Sequence, residues 1–211
     1  EKPVTRMENV HISGELSSET LQTGYIKWPK VPLKANESEG YVATRSSRAY
    51  PNYEAWKAFN ENANSSDDAW LGGLTNYITG GYPITTSGAP EMNGVYGDWL
   101  GIELPQSIKV SYIQLLNRNY SESARLPISG RFYGSKDNIT FTELTAWSNI
   151  SISPGYEPTR IDVNSNDTYK TYRIQVERIS VASGGGSCAI GELQLFEAAT
   201  GVGAAPTSAK L

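Results

Sequence analysis

The sequence predicts an all-β sandwich, and three observations support this fold class. Residues 98–118 contain two stretches in which apolar and polar side chains alternate, as along strands with one buried face. From Ala43 to Glu197, short strand candidates follow one another with turn residues between them, which is the spacing of a two-sheet fold. Only Tyr53–Phe59 has the pattern of a helical turn.

The first strand of residues 98–118 has Leu100, Ile102 and Leu104 on one face. Pro105 is expected to end it. The second strand, residues 108–116, becomes apolar on both faces towards its end, as a strand covered by a second sheet would. The other strand candidates are residues 130–134, 141–147, 160–163, 169–178 and 192–197.

Composition favours one main domain with extensions, because 211 residues of which 38% are hydrophobic can bury one sizeable core. The net charge of −4 argues against a nucleic-acid partner, which needs a clustered cationic face. No apolar run is long enough to cross a bilayer, so no membrane insertion is expected. Cys188 is the single cysteine and is expected to be a small buried thiol.

The chain is expected to divide into three parts. Residues 1–35 contain short extended pieces that cannot form a core alone, and are interpreted as a shaft or linker. Residues 36–198 form the sandwich, and residues 199–211 are a linker rich in Ala, Gly and Thr. Within the sandwich, residues 71–98 are too long for a simple hairpin, and long loops on a rigid scaffold are usual places for recognition.

Four segments, in this order, carry a resemblance to a known family. They are residues 53–60 with Asp-Ala-Trp at 68–70, residues 98–104, residues 172–176 and residues 191–196. The set resembles discoidin domains, also called coagulation factor 5/8 type C domains, which include family 32 carbohydrate-binding modules. The resemblance covers roughly Ala43 to Glu197. It implies an eight-stranded, jelly-roll-like β-sandwich that binds glycans, lipids or proteins through loops at one end.

The flanking segments resemble a second kind of protein. Residues 10–18 and 25–29 before the sandwich, and residues 200–211 after it, are similar to the repetitive shaft segments of viral or phage fibres. Such segments commonly form homotrimers, which would explain extended pieces without a core of their own. Ordinary linkers around an extracellular domain are an equally weighted alternative.

Resemblance to the discoidin family also implies a structural Ca²⁺ ion near the helical turn and the last strand. Calcium takes six to eight hard oxygen ligands. The matching positions offer main-chain oxygens, for example of Phe59 and Ala189, and four side chains: Asn60, Asn62, Ser65 and Glu192. Asn60 replaces the usual aspartate of the family and removes a negative charge. The alternative is an Asn-rich turn held by its own hydrogen bonds.

Sugars are bound by planar hydrogen-bonding groups and by aromatic rings that pack against their C–H faces. The candidate ligand-binding residues are Arg118, Asn119, Tyr120 and Arg125 on one loop, with Tyr77, Tyr82 and Tyr96 on the long segment. The alternative is that the cations cover surface and pair with Glu122 or Asp137, because surface ion pairs are common. The tryptophans Trp56, Trp70 and Trp99 are expected in the core, while Trp147 is open to either role.

No catalytic constellation is present, so the chain is not expected to be an enzyme. The only histidine, His11, lies in the N-terminal extension, far from any candidate nucleophile in the sequence. Ser187 does not complete a Gly-x-Ser-x-Gly elbow because Ala189 occupies the last position. The paired carboxylates Asp67 and Asp68 are better explained as a solvated turn than as glycosidase residues, and no Cys/His cluster suggests zinc.

The leading functional hypothesis is a noncatalytic domain that binds a cell-surface glycan, as the host-receptor-binding head of a viral fibre. The alternatives are a carbohydrate-binding module of an extracellular glycoside hydrolase, and an adhesion module for protein or lipid. Six tripeptides match the glycosylation acceptor pattern, which gives weak support to an extracellular or virion-surface location. They begin at residues 36, 64, 119, 138, 149 and 166.

Overall fold

The structure is a computed structural model that describes residues 24–65, 67–118, 125–151, 157–180 and 186–199. Fourteen strands and one 3-10 helix, Ala55–Phe59, are assigned in these ranges. The strands are β1 Tyr25–Trp28, β2 Glu37–Ser38, β3 Tyr41–Arg45, β4 Trp70–Leu71, β5 Glu91–Met92, β6 Val95–Tyr96, β7 Trp99–Ile108, β8 Val110–Leu116, β9 Pro127–Ser135, β10 Thr142–Trp147, β11 Thr159–Asp162, β12 Tyr169–Ile179, β13 Ala189–Ile190 and β14 Glu192–Ala198.

Two antiparallel sheets form the sandwich. One has four strands in the order β1-β14-β8-β11, and the other has six in the order β10-β9-β12-β7-β3-β2. Two smaller pairs, β13-β4 and β5-β6, lie beside them. The described part of the chain contains no helix long and apolar enough to cross a membrane. The predicted all-β, discoidin-like sandwich is confirmed.

Alternating side chains build the core between the sheets. Leu100, Ile102 and Leu104 of β7 are fully buried, as predicted, and the rings of Phe132 and Tyr172 stack with centroids 5.4 Å apart. Trp70 and Cys188 also belong to this core, while Trp56 packs against it. Trp147 is 8% exposed and its indole N–H donates to the carbonyl of Pro127, which resolves its open assignment in favour of the core.

The sandwich begins earlier than the sequence predicted, at Tyr25 rather than residue 36. β1 pairs with β14, and the Trp28 side chain is 1% exposed within the core. Leu33 is equally buried. The boundary was misplaced because a four-residue edge strand is too short to show alternation. Of the predicted shaft segments, residues 10–18 and 200–211 lie outside the described residues.

Two strand predictions also need correction. Pro105 does not end β7, which continues to Ile108; the β7–β12 pairing shifts register between Glu103 and Ile108, and proline is tolerated at such an irregularity. Within the described ranges, no second sheet covers the outer face of β8. Instead Leu116 shares a cavity with Ala63 and Asn64, so the loop after the 3-10 helix lies over it.

Candidate functional site

Strand registers bring several loops together at one end of the sandwich. β3 ends at Arg45 and pairs with the start of β7, while the end of β12 pairs with the start of β9 at Pro127. In the other sheet, Leu116 pairs with Glu192. The described parts of residues 46–90, 97–98, 117–126, 148–158 and 180–191 therefore lie at this end, which we call the loop end. Tyr25 and Ala198 pair at the opposite end.

A buried polar network holds the loop end together around Asp98, which is 0% exposed. Its Oδ1 accepts hydrogen bonds from the hydroxyls of Ser46, at 3.0 Å, and Ser47, and from Nδ2 of Asn76 at 2.9 Å. Cys188 Sγ lies 3.7 Å from its Oδ2. Burial raises the pKa of Asp98, and these hydrogen bonds partly offset the rise. The network ties three chain segments to one carboxylate.

Tyr77, predicted as a ligand contact, belongs to this network instead. Its side chain is 2% exposed, its hydroxyl donates to the carbonyl of Val176 at 3.0 Å, and it accepts from the backbone N–H of Asp98 at 3.0 Å. A ring so buried offers no face to a sugar. The predicted ligand role of Tyr77 is therefore replaced by a structural one.

The remaining predicted ligand residues do not form one common site. Tyr82 is at the loop end and 51% exposed, whereas Arg118 is 6% exposed and lies close enough to Tyr53 to influence its pKa. Arg125 has a positive φ of 85°, and its backbone hydrogen-bonds Ser180 and Ala189. Tyr96 lies in the β5-β6 hairpin, which packs on the outer face of the six-stranded sheet. Asn119 and Tyr120 lie outside the described residues.

Tyr82 lines a cleft of about 310 Å³ whose polar residues sequence reasoning missed. The Arg178 guanidinium lies 4.6 Å from the centroid of its ring. The same guanidinium donates to Oδ1 of Asn149 at 2.6 Å and to the carbonyl of Gly80 at 3.1 Å. Ser129, Ser148 and Glu177 complete the lining. An aromatic ring, an amide and a guanidinium thus converge on one opening.

Local backbone pairing explains the position of Tyr82. The backbone N–H of Ile179 donates to the carbonyl of Gly81, and a Cβ at Gly81 would lie 2.1 Å from the carbonyl oxygen of Ile179. Only glycine allows this approach, at a φ of 81°. The sequence signal was the Gly80-Gly81 pair before an aromatic residue, whereas Arg178 resembled any exposed cation at a strand end.

The four predicted calcium ligands lie together beside the 3-10 helix. Glu192 Oε1 accepts the backbone N–H groups of Asn60 at 3.1 Å and Asn62 at 3.0 Å. Asn60 Oδ1 also accepts from the N–H of Asn62, at 2.8 Å. Asp68 Oδ2 accepts from Nδ2 of Asn62 and from the Ser65 hydroxyl. These contacts include the Asx-type hydrogen bonds of the alternative interpretation.

The chemistry of this donor set also fits a hard cation. Burial raises the pKa of Glu192 to about 8, although the backbone N–H groups of Asn62, Asn60 and Glu61 act against the rise. A divalent cation would offset that burial cost. In the described ranges no three His, Cys, Asp or Glu side chains are grouped to hold a metal. Amide, hydroxyl and main-chain oxygens would therefore supply most ligands.

Comparison with known proteins relates the chain to solved structures only. No family profile and no curated protein matches the sequence. The CBM32-3 module of a family 31 glycoside hydrolase from Clostridium perfringens is 15% identical, with a TM-score of 0.54 over 76% of this chain and 92% of that one. The lectin domain of lectinolysin, complexed with Lewis B antigen, is 13% identical, with a TM-score of 0.52 over 79% and 99%.

A third solved structure is CpGH89CBM32-5 from Clostridium perfringens, in complex with GalNAc-β-1,3-galactose. It is 14% identical, with a TM-score of 0.50 over 74% of this chain and 95% of that one. Identities this low concern the fold alone. The chain has the β-sandwich fold of family 32 carbohydrate-binding modules and discoidin-like lectin domains.

Proposed function

We propose that this chain is a noncatalytic glycan-binding module that acts at an extracellular surface and holds its ligand in the Tyr82 cleft. The observation that carries the proposal is the half-exposed Tyr82 ring beside Arg178 and Asn149. Rings pack against the C–H faces of sugars, while guanidinium and amide groups bond to their hydroxyls. The module fold of the similar structures supports the same function.

A glycan array with variant proteins tests this proposal. Tyr82→Ala and Arg178→Ala each remove one wall of the cleft, so both are expected to weaken binding at least tenfold. Tyr25→Ala and Arg160→Ala are the matched controls, because both residues lie on the other sheet. Tyr25 is 47% exposed, similar to Tyr82 at 51%, and Arg160 forms an exposed ion pair with Asp162. Undiminished binding by the cleft variants, or equal loss by the controls, would refute the assignment.

The biological setting we propose is a trimeric viral fibre, with the module as its receptor-binding head. The flanking sequences support it, as does the entry and exit of the chain at the end opposite the loop end. Trimerisation would add avidity to weak single-site binding. The alternative, a module of an extracellular glycoside hydrolase, is favoured by the similar modules from such enzymes. A monomeric mass in light scattering would overturn the fibre proposal.

The proposal includes a structural Ca²⁺ ion at Glu192, Asn60, Asn62 and Ser65. Its role would be to neutralise the buried carboxylate and to fix the loop after the 3-10 helix. The ion would act in stability, since this loop is not part of the Tyr82 cleft. Removal of calcium is therefore expected to lower the melting temperature while leaving the affinity for glycan nearly unchanged.

A further inference from the structure

A β-bulge near the end of β12 places two consecutive charged side chains outside the core. The register of β12 against β9 shifts between Val176 and Arg178 and again between Arg178 and Ile179. Val176 and Ile179 are 0% and 1% exposed, so two residues rather than one separate these inward-facing side chains. Bulges re-aim side chains in this way. As a result, Glu177 and Arg178 both line the Tyr82 cleft.

Arg178 and its neighbour Asn149 form the donor wall of the cleft. Nε of Arg178 donates to the carbonyl of Gly80, and its Nη1 donates to Oδ1 of Asn149. A guanidinium carries more N–H donors than these two contacts use. Nδ2 of Asn149 donates to the hydroxyl oxygen of Ser148 at 3.2 Å, which uses one of its two N–H groups. Donors therefore remain available to a ligand.

Glu177 forms the acceptor wall. Nε of Arg131 donates to its Oε1 at 2.7 Å, and the same guanidinium donates to Oε2 of Glu143, also at 2.7 Å. One cation thus holds two carboxylates, of which only Glu177 lines the cleft. The Glu177 side chain is 25% exposed, so solvent reaches it. An ionised carboxylate only accepts hydrogen bonds, and it has more acceptor sites than one bond to Arg131 uses.

These two walls define the hydrogen-bonding pattern that a ligand must match. The charged side chains that line the cleft are one carboxylate and one guanidinium. A hydroxyl both donates and accepts, so two neighbouring hydroxyls of a sugar satisfy Glu177 and Arg178 together. A ligand carboxylate or sulfate has no proton to donate to Glu177 and meets a like charge there. Such a mismatch is how a site discriminates against a wrong partner.

We propose that Glu177 is the specificity-determining residue of the Tyr82 cleft, and that it selects a neutral sugar with two adjacent hydroxyls. One hydroxyl donates to the Glu177 carboxylate, and the other accepts from Arg178 or Asn149. Sugars that carry a carboxylate or a sulfate at this position are rejected. The inference rests on the proposed function, since it names the ligand class of the same cleft.

A glycan array built from matched pairs tests this inference. Each pair is a neutral oligosaccharide and the same oligosaccharide with a carboxylate or a sulfate on its terminal sugar. Wild type is expected to bind the neutral member at least tenfold more tightly. Glu177→Gln keeps the size of the side chain and removes its charge. It is expected to weaken binding of the neutral member at least tenfold and to reduce the preference below about threefold.

Glu143→Gln is the matched control, because Glu143 accepts from the same Arg131 but does not line the cleft. This variant should keep both the affinity and the preference of wild type. Each of the two variants removes one carboxylate partner of Arg131, so their melting temperatures should agree within a few degrees. Glu177→Asp is a second variant that keeps the charge on a shorter side chain, and it should keep the preference at lower affinity.

Two results would overturn the inference: wild type that binds the anionic member as tightly as the neutral one, or Glu177→Gln that behaves like Glu143→Gln. Either result leaves the proposed function standing where Tyr82→Ala still weakens binding. Wild type that binds no glycan would instead overturn the proposed function, and this inference with it.

Discussion

The hydroxyl of Tyr77 gives the sharpest test of the loop-end structure. Tyr77→Phe keeps the ring and deletes a single oxygen, which bridges the carbonyl of Val176 and the backbone N–H of Asp98 at 3.0 Å each. Both partners lie in a region closed to solvent, since Asp98 and Val176 are 0% exposed. The substitution therefore leaves a buried donor and a buried acceptor with one partner fewer.

The magnitude follows from these two contacts. An unsatisfied buried group costs about 1–3 kcal/mol, so the loss of both bonds is expected to lower the free energy of unfolding by about 3 kcal/mol. For a chain of this size that corresponds to a fall of about 6–12 °C in melting temperature. Urea denaturation monitored by tryptophan fluorescence measures the free energy, and calorimetry gives the melting temperature.

Tyr50→Phe is the matched control, because its side chain is 52% exposed and it also lies at the loop end. Substitutions at exposed positions usually change stability by less than about 0.5 kcal/mol. A Tyr77→Phe protein as stable as this control would refute the assignment of Tyr77 to the buried network.

Three further predictions concern stability. Burial raises the pKa of Asp98, so the stability that its protonated form contributes is fully present below the ordinary pKa of about 3.8 and is lost as pH rises through the folded value. The free energy of unfolding of wild type, relative to that of Asp98→Asn, should therefore fall as pH rises above about 4, and a constant difference would contradict this. Gly191→Ala puts a Cβ 2.4 Å from the backbone oxygen of Asn117, so denaturation should show that the free energy of unfolding falls by about 1–3 kcal/mol or more. An unchanged denaturation midpoint would mean that the strand shifts freely to make room. Calcium at about fifty times its dissociation constant should raise the free energy of unfolding by about 2 kcal/mol. Thermal scans with calcium and with EDTA measure this difference, and Glu192→Gln should remove it. No difference in wild type would exclude the ion.

The sequence predicted the architecture because long strands show their alternation directly. The buried side chains of β7 and β8 follow the apolar pattern, and the helical turn predicted at Tyr53–Phe59 appears as the 3-10 helix Ala55–Phe59. β1 and the two-residue strands are too short for periodicity and were not predicted as part of the sandwich, whereas the four-residue β11 was predicted at residues 160–163.

Site prediction was less successful, since contacts between distant segments decide it. Tyr77 and Tyr82 are five positions apart and equally aromatic, yet one is 2% and the other 51% exposed. The sequence offers no means to distinguish them. Arg178 ended a predicted strand, and only the folded sheet shows that its guanidinium lies 4.6 Å from the Tyr82 ring and donates to Asn149. The four candidate calcium ligands, which the family resemblance suggested, lie together in the fold, and the ion itself stays a prediction.

The buried network and the cleft are structurally linked, because both include residues at the end of β12. Tyr77 fixes the carbonyl of Val176, while Glu177 and Arg178, the next two residues, line the cleft. Ile179 then bonds to Gly81 and holds the neighbouring Tyr82 in place. A cleft preset in this way loses little side-chain entropy when a sugar binds, which matters for a small ligand with few contacts. Under the proposed function, the buried network around Asp98 and Tyr77 would serve recognition indirectly, by keeping the aromatic and guanidinium walls at a fixed separation.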